Sequence, residues 1–221
     1  RLTKFVPLDI SLRAGGYLLY GINMVGKSST MKCVGVVAVM AQAGLFVPAS
    51  SLRFSPYRRL MTRIVGMDDI NRGLSTFAVE MLELRSILLR SDSRTLVLGD
   101  EVCHGTESPS AVSIVAASII SLSKARSSFI FATHLHELSR MPEITELKNV
   151  EQFHLTFHLK DSRIIYDRSL MPGPGHGKYG IEVAQFLQLP ADVMSMAHAL
   201  RKRYFQDETP EAPDAPQRSA Y

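Results

Sequence analysis

The sequence predicts an α/β protein in which helices flank a mainly parallel sheet, with a β-hairpin and a C-terminal helical appendage. Two observations support this class. Short apolar segments typical of buried strands alternate with longer segments of helical apolar spacing, and a glycine-containing loop motif separates the first strand from the first helix. The composition agrees, because 46% of the 221 residues are hydrophobic and 21% are charged, as in globular proteins.

The first half of the chain contains two strand patterns and two helix patterns. A short apolar run, Leu18–Tyr20, predicts a strand, and the apolar pattern that continues after Ser28 to Gly44 predicts a helix. Helical spacing returns between Phe77 and Arg90. The compact apolar run Thr95–Gly99 is typical of a buried strand in a parallel sheet.

The next segment adds a helix, a strand and a hairpin. Small and apolar residues from Ser108 to Ser123 predict a helix, with Pro109 suited to its first turn. The run Phe129–Thr133 predicts another buried strand. Between Gln152 and Leu170 apolar and polar residues alternate on both sides of a turn at Asp161–Ser162, which indicates a hairpin at the margin of the sheet.

The C-terminal part of the sequence predicts two helices and then a tail. Glycines and prolines predict a loop over Met171–Gly180, followed by helices over Ile181–Leu187 and Ala191–Tyr204. Beyond Gln206, prolines and mixed charges without an apolar period are typical of a disordered tail or linker. The sequence therefore divides into an α/β domain (1–180), a helical appendage (181–205) and a tail (206–221).

Charge, cysteine content and hydropathy limit the class of protein further. The net charge of +4 indicates only a mild preference for acidic partners. Cys33 and Cys103 lie far apart without metal-ligand spacing, which predicts reduced thiols in a reducing intracellular compartment. No apolar run reaches the roughly 20 residues that span a bilayer, so we expect a soluble protein without membrane contact. Because the chain begins at Arg1 without a methionine, we interpret it as an excerpt.

The loop after the first predicted strand matches a phosphate-binding motif. Residues 21–28 read GINMVGKS and fit G-x-x-x-x-G-K-[ST] between a strand and a helix. In this motif the glycines let the backbone approach phosphates, Lys27 reaches the β and γ phosphates, and Ser28 ligates magnesium. An ordinary glycine-rich turn is the alternative. The motif thus predicts a nucleoside triphosphate and Mg²⁺ as ligands, held in this loop by Gly21, Asn23, Gly26, Lys27, Ser28 and Ser29; the resemblance described below implies that the nucleotide is ATP.

Three polar side chains follow two of the later predicted strands. Asp100 would hold the metal, and Glu101 would orient or deprotonate the attacking water. Two acids after a strand also fit a solvated turn or a helix cap. His134 follows the next strand, where it could sense the γ phosphate or serve as a capping residue, and His136 shares this neighbourhood. The predicted catalytic residues are therefore Glu101, His134 and Lys27.

Several motifs together resemble the ATPase domain of the MutS family of DNA mismatch-repair proteins, within the wider ABC-type ATPases. Their order and spacing agree over residues 5–203, which makes the resemblance more specific than a phosphate loop alone. The motifs are GINMVGKSST, DDINRGLSTFAVEM (Asp68–Met81), LVLGDEVCHGTES (Leu96–Ser108), FATHLHEL (Phe131–Leu138) and KYGIEVAQFLQLP (Lys178–Pro190).

The resemblance implies an ABC-type P-loop NTPase fold that acts as a dimer. It places Phe5 where an aromatic residue stacks on adenine, although core packing is the alternative. It also implies that Ser75, with Thr76, meets the nucleotide of the partner, a second MutS-like subunit in a homo- or heterodimer. A helix N-cap is the alternative for Ser75. The helical appendage, 181–205, would take part in dimerisation.

The function implied by the resemblance is ATP binding and hydrolysis in a dimerisation domain that couples the nucleotide state to a DNA clamp. DNA would be bound mainly by regions absent from this chain. One alternative is another ABC-type ATPase head, SMC-like or from a transporter, but Gly73–Phe77 lacks the usual serine-glycine-glycine segment. The other is a nucleotide-gated interaction module without turnover, which the pair Asp100–Glu101 disfavours.

The sequence also departs from the family pattern. Ile22 and Val25 stand where proline and glycine are common, which bears on nucleotide affinity, and Lys178 replaces the usual serine. The acidic motif with Val102–His104 resembles a divergent MutS subfamily of large DNA viruses and some organelles.

Overall fold

The fold is an α/β arrangement of six strands and six helices within the part of the chain that the structure describes. The computed structural model describes residues 6–12, 15–22, 25–64, 76–160, 163–175 and 180–204. The elements are β1 (Gly16–Tyr20), α1 (Lys27–Gln42), β2 (Arg59–Arg63), α2 (Thr76–Arg90), β3 (Thr95–Asp100), α3 (Ser108–Lys124), β4 (Ser128–Thr133), α4 (Pro142–Thr145), β5 (Val150–Lys160), β6 (Arg163–Pro172), α5 (Gly180–Phe186) and α6 (Ala191–Tyr204).

All six strands form one sheet in the order β2-β3-β4-β1-β5-β6. The pairs from β2 to β5 are parallel, and β6 pairs antiparallel with β5 at the edge. This confirms the predicted mainly parallel sheet flanked by helices, and it confirms the hairpin at the sheet margin. Parallel strands are joined by crossover helices, which cover both faces of the sheet.

The core lies on both faces of the three central strands, β1, β3 and β4, which are buried along their whole length. Neighbouring residues of β1 point to opposite faces. Leu18 packs in the cluster that includes Ile119 of α3, whereas Leu19 packs in the cluster that includes Met31 of α1. The two faces are therefore apolar, which explains why these strands read as continuous hydrophobic runs.

The register brings the carboxyl ends of three strands together. Tyr20, the last residue of β1, pairs with Thr133 of β4, and Asp100, the last residue of β3, pairs with Ala132. Whatever follows these strands must therefore meet at one edge of the sheet. In open α/β sheets this carboxyl edge is where ligands bind.

Three features of the structure were not predicted from the sequence. The edge strand β2 (RLMTR) carries two arginines and has no strong strand pattern, so it was missed. The strand β6 extends to Pro172, into the segment predicted as a loop, because the hairpin pairing continues to Phe153–Pro172. The helix α4 and a 3-10 turn, His136–Arg140, follow β4. The predicted turn at 161–162 and the tail at 206–221 lie outside the described residues.

Within the described ranges, we find no helix that combines the length and the apolar character needed to cross a membrane.

Replacing Gly16 with alanine tests how closely β1 and β4 pack. A Cβ atom at position 16 would overlap the ring of Phe129, which is fully buried. Because overpacking a core costs about 1–3 kcal/mol, we expect Gly16→Ala to lower the free energy of unfolding by that amount in chemical denaturation. Gly180→Ala is the matched control, since a Cβ there meets no described atom within 4 Å. Equal unfolding free energies for both variants would contradict this packing.

Candidate functional site

The predicted phosphate loop joins β1 to α1 at the carboxyl edge of the sheet. Gly21 and Gly26 have φ values of 144° and 116°, which L side chains rarely adopt. Gly26 is the N-cap residue of α1 and offers no side chain to its first turn, so the backbone amides there remain available to a ligand. Ser28 is half-buried and Ser29 exposed in that turn. A helix N-terminus of this kind attracts phosphate.

Lys27 lies under this loop with only 5% of its surface exposed. Its Nζ donates hydrogen bonds to the carbonyl oxygens of Gly21 at 2.6 Å and Ile22 at 3.1 Å. Burial lowers the pKa of Lys27, and the charges of Glu101 and Asp100 oppose this shift. The acceptors that hold the ammonium group are therefore neutral carbonyl oxygens. Charged phosphate oxygens, which accept stronger hydrogen bonds, could take their place.

The acidic pair faces Lys27 from the end of β3. Asp100 is buried as the last residue of the strand, and a Glu101 oxygen lies 4.0 Å from Lys27 Nζ. The backbone N–H of Glu101 donates to the carbonyl oxygen of Ala132 at 2.9 Å, so β4 fixes the start of the loop that follows. Asp100 and Ser28 supply hard oxygen donors, the kind that Mg²⁺ prefers. The residues present therefore fit a magnesium–nucleotide site.

Two histidines lie beside Glu101. His134 follows β4 and is exposed, and its ring meets that of His104 edge to face, with centroids 5.8 Å apart. One ligand atom each from Glu101, His104 and His134 lie within 4.8 Å of one another. By contrast, the centroid of the His136 ring lies 5.1 Å from that of the Tyr20 ring, which favours a structural role for His136. His104 was not predicted as a site residue.

A buried glutamate supports the loop after β3. Glu80 of α2 is 3% exposed, and its carboxylate accepts a hydrogen bond of 2.7 Å from the backbone N–H of Cys103. Arg63 of β2 lies 3.7 Å from the same carboxylate oxygen. Glu101 and Cys103 have φ values of 48° and 67°, an unfavourable conformation for residues other than glycine. Glu80 thus helps to hold a strained loop that carries the predicted water-activating residue.

Glu80 was not predicted as a site residue, although the sequence contains a pattern that indicates its burial. Glu80 shares a helical face with the buried residues Leu84 and Ile87, at a spacing of four and seven residues. An acid on an apolar helical stripe indicates a buried partner. Among the other predicted residues, Phe5, Asn23 and Ser75 lie outside the described residues.

The sheet, the loop and the acidic strand end together define a P-loop NTPase-like fold. A glycine-bounded loop with a buried lysine begins the first helix, and the acidic end of β3, which is separated from β1 by β4, lies at the same edge of the sheet. A family model described as MutS domain V matches residues 17–204. The chain therefore belongs to the MutS domain V family.

Similar proteins come from viruses, mitochondria and bacteria. A mutS homolog of Acanthamoeba polyphaga mimivirus is 42% identical over 200 residues, covering 88% of this chain and 18% of that protein. The mitochondrial DNA mismatch repair protein mutS homolog of Sarcophyton glaucum is 44% identical, covering 79% of this chain and 18% of that protein. The DNA mismatch repair protein MutS of Thermus thermophilus is 37% identical, with coverages of 90% and 24%. The chain thus spans about a fifth to a quarter of these relatives' length.

Removing the Glu80 carboxylate should destabilise the fold. The variant Glu80→Ala leaves the buried N–H of Cys103 without its acceptor, so we expect a loss of about 1–3 kcal/mol in the free energy of unfolding. Glu83→Ala is the matched control, because Glu83 also pairs with Arg63, at 3.0 Å, but is about half exposed. For this control we expect a loss of at most about 1 kcal/mol. Similar losses for both variants in urea titrations would contradict the proposal that Glu80 supports the loop after β3.

The two cysteines should differ in reactivity. Burial raises the pKa of the Cys103 thiol from 9.0 to about 11, with Glu80 acting in the same direction and Arg63 against it. Cys33 is exposed. A thiol-reactive dye at pH 8 should therefore label Cys33 quickly and Cys103 only after unfolding. Rapid labelling of both thiols in the folded protein would contradict the burial of Cys103.

The raised pKa of the Cys103 thiol also predicts that the stability of the fold depends on pH. Since the folded pKa of Cys103 is raised, the unfolded chain loses this proton first as the pH rises above 9. The contribution of Cys103 to stability should therefore be present below pH 9 and decline towards pH 11. Between pH 9 and pH 11, the free energy of unfolding of Cys103→Ala should therefore decline less than that of the wild type, as measured by denaturation.

Proposed function

We propose that this chain is the ATP-binding and ATP-hydrolysing dimerisation domain of a MutS-like DNA mismatch-repair protein. The observation that carries the proposal is the meeting of Lys27 and Glu101, 4.0 Å apart, at the end of the phosphate loop. Membership of the MutS domain V family and similarity to proteins named for DNA mismatch repair support it.

In this proposal the loop binds the triphosphate. The glycines at positions 21 and 26 let the backbone amides approach the phosphate oxygens, and the N-terminus of α1 favours the negative charge. Lys27 exchanges the carbonyl oxygens of Gly21 and Ile22 for oxygens of the β and γ phosphates. Mg²⁺, held by Ser28 and Asp100, would neutralise the charge that develops on the phosphates.

Hydrolysis would use Glu101 and His134. The Glu101 carboxylate orients a water molecule and accepts its proton as the water oxygen attacks the γ phosphorus, while the bond from this phosphorus to the bridging oxygen of ADP breaks. The products are ADP and inorganic phosphate. His134, at the end of the neighbouring strand, donates a hydrogen bond to the γ phosphate, and Lys27 offsets the charge on the leaving group. In this role the chain is an ATPase of ABC type.

Dimerisation would complete each site. The Ser75 segment precedes α2 and would contact the nucleotide of a second MutS-like subunit, while Phe5 would stack on the adenine of its own subunit. The exposed apolar face of α6 supports a partner surface, because Val193, Met196 and Leu200 leave about half or more of their area exposed. Two ATP molecules at the interface would favour the closed dimer, and hydrolysis would release it.

The nucleotide state would then control the conformation of a DNA clamp. Because the chain covers only 18–24% of the length of its relatives, the clamp and the surfaces that contact DNA would lie in other parts of the protein. The closed and open dimers differ in the spacing of the subunits, and this difference can pass to domains attached to the sheet.

Replacing Glu101 by glutamine tests the proposed chemistry. The amide keeps the size of the side chain but cannot accept the proton, so we expect Glu101→Gln to bind ATP normally and to release phosphate at least about 100-fold more slowly. Glu107→Gln is the matched control, because Glu107 is an exposed acid further along the same loop. Phosphate release and ATP affinity should be measured in the dimer with Mg²⁺. Unchanged turnover in Glu101→Gln would refute the role of Glu101, and a wild-type dimer that binds ATP without turnover would indicate a nucleotide-gated module.

A further inference from the structure

The cluster formed by Glu101, His104 and His134 has the chemistry of a transition-metal site. The loop after β3 supplies Glu101 and, three residues later, His104, and the end of β4 supplies His134. One ligand atom from each side chain lies within 4.8 Å of the other two. Two imidazoles and one carboxylate are a common ligand set for Zn²⁺ and related ions.

We propose that these three side chains form a Zn²⁺ site, separate in its ligands from the magnesium site of Ser28 and Asp100. Imidazole nitrogen is a poor donor for Mg²⁺, which prefers oxygen, but a good one for Zn²⁺. Three protein ligands leave a fourth tetrahedral position open to water or a phosphate oxygen.

The three ligand atoms are close to the spacing that a bound ion needs. Tetrahedral Zn²⁺ with bonds of about 2.0–2.2 Å places its ligand atoms about 3.3 Å apart, so atoms that lie within 4.8 Å of one another must approach by at most about 1.5 Å. His104 and His134 are both exposed, and both line a cleft beside the 3-10 turn, which leaves their rings accessible and able to rotate. The His104 ring already contacts the His134 ring edge to face.

The neighbouring charge limits the affinity without preventing binding. Lys27 places a positive charge nearby, since its Nζ lies 4.0 Å from one oxygen of Glu101. The Lys27 ammonium is directed at the carbonyl oxygens of Gly21 and Ile22, and the Glu101 carboxylate has a second oxygen for the metal. Each histidine would bind Zn²⁺ through a neutral ring nitrogen.

Zn²⁺ at this site would block hydrolysis, a consequence that rests on the proposed function. The metal would occupy the Glu101 carboxylate that accepts a proton from water, and the His134 nitrogen that contacts the γ phosphate. His104 would be the third ligand, and it takes no part in the proposed hydrolysis. A bound Zn²⁺ ion would therefore hold the protein in a state that binds nucleotide and does not turn it over.

A metal titration tests the site without requiring activity. The protein is titrated with Zn²⁺ against a chromophoric chelator, without nucleotide, and we expect one ion per chain. His104→Asn and His134→Asn should each weaken binding tenfold or more, since the loss of residues that merely support metal ligands typically costs about 10–100-fold. His198→Asn, which changes an exposed histidine of α6, should bind as the wild type does. Thermal unfolding of each variant checks that it is folded.

Co²⁺ provides a second readout at the same site. Its visible absorption reports nitrogen and oxygen ligands in a tetrahedral arrangement, and this absorption should be present in the wild type and absent in His104→Asn. The absence of stoichiometric Zn²⁺ binding to the wild type, or wild-type affinity in His104→Asn, would overturn the proposed site.

The regulatory consequence is tested separately with MgATP and free Zn²⁺ held by a metal buffer. We expect Zn²⁺ to inhibit phosphate release by the wild type, and His104→Asn to need at least about tenfold more free Zn²⁺ for half-inhibition. Full turnover at a Zn²⁺ concentration that saturates the site would refute the inhibitory role. If the zinc-free protein has no ATPase activity, the proposed function fails, and the titration still decides whether the metal site exists.

Discussion

The burial of the Lys27 ammonium beside an acidic strand end is the interaction on which the candidate site depends. A buried cation must be satisfied, and here two loop carbonyls hold it with the carboxylate of Glu101 nearby. This arrangement exists because β1 and β3 both pair with β4 in parallel register, so their carboxyl ends meet at one edge. The sheet therefore fixes the distance between the phosphate loop and the acidic pair before any ligand binds.

The acidic loop needs support because its backbone is strained. Glu101 and Cys103 adopt left-handed conformations, and the Glu80 carboxylate compensates by accepting the Cys103 N–H. Glu80 lies on α2, which begins at Thr76, directly after the segment that the proposed dimer directs at the partner's nucleotide. A movement of α2 on dimerisation would therefore reach the loop that carries Glu101, which gives the proposed dependence of hydrolysis on dimerisation a physical route.

The sequence predicted the central strands and most of the helices because burial on both faces gives a strong apolar pattern. It also predicted the phosphate loop with Lys27 and the acidic pair after β3 as site residues, and the structure places Lys27 Nζ 4.0 Å from Glu101. The edge strand β2 was missed because an edge strand needs few apolar residues. Glu80 has a local signal, an acid on an apolar helical face, but that signal does not identify its partner Cys103. His104 was missed because its contact with His134 forms only in the folded chain.

A crystal structure of the protein with Mg²⁺ and a non-hydrolysable ATP analogue would test the central claim most directly. The account predicts that Lys27 Nζ leaves the carbonyl oxygens of Gly21 and Ile22 and contacts the β and γ phosphates, with Glu101 facing the γ phosphorus across one water molecule. A nucleotide bound elsewhere, or a Lys27 that keeps its bonds to both carbonyls beside a bound triphosphate, would contradict it.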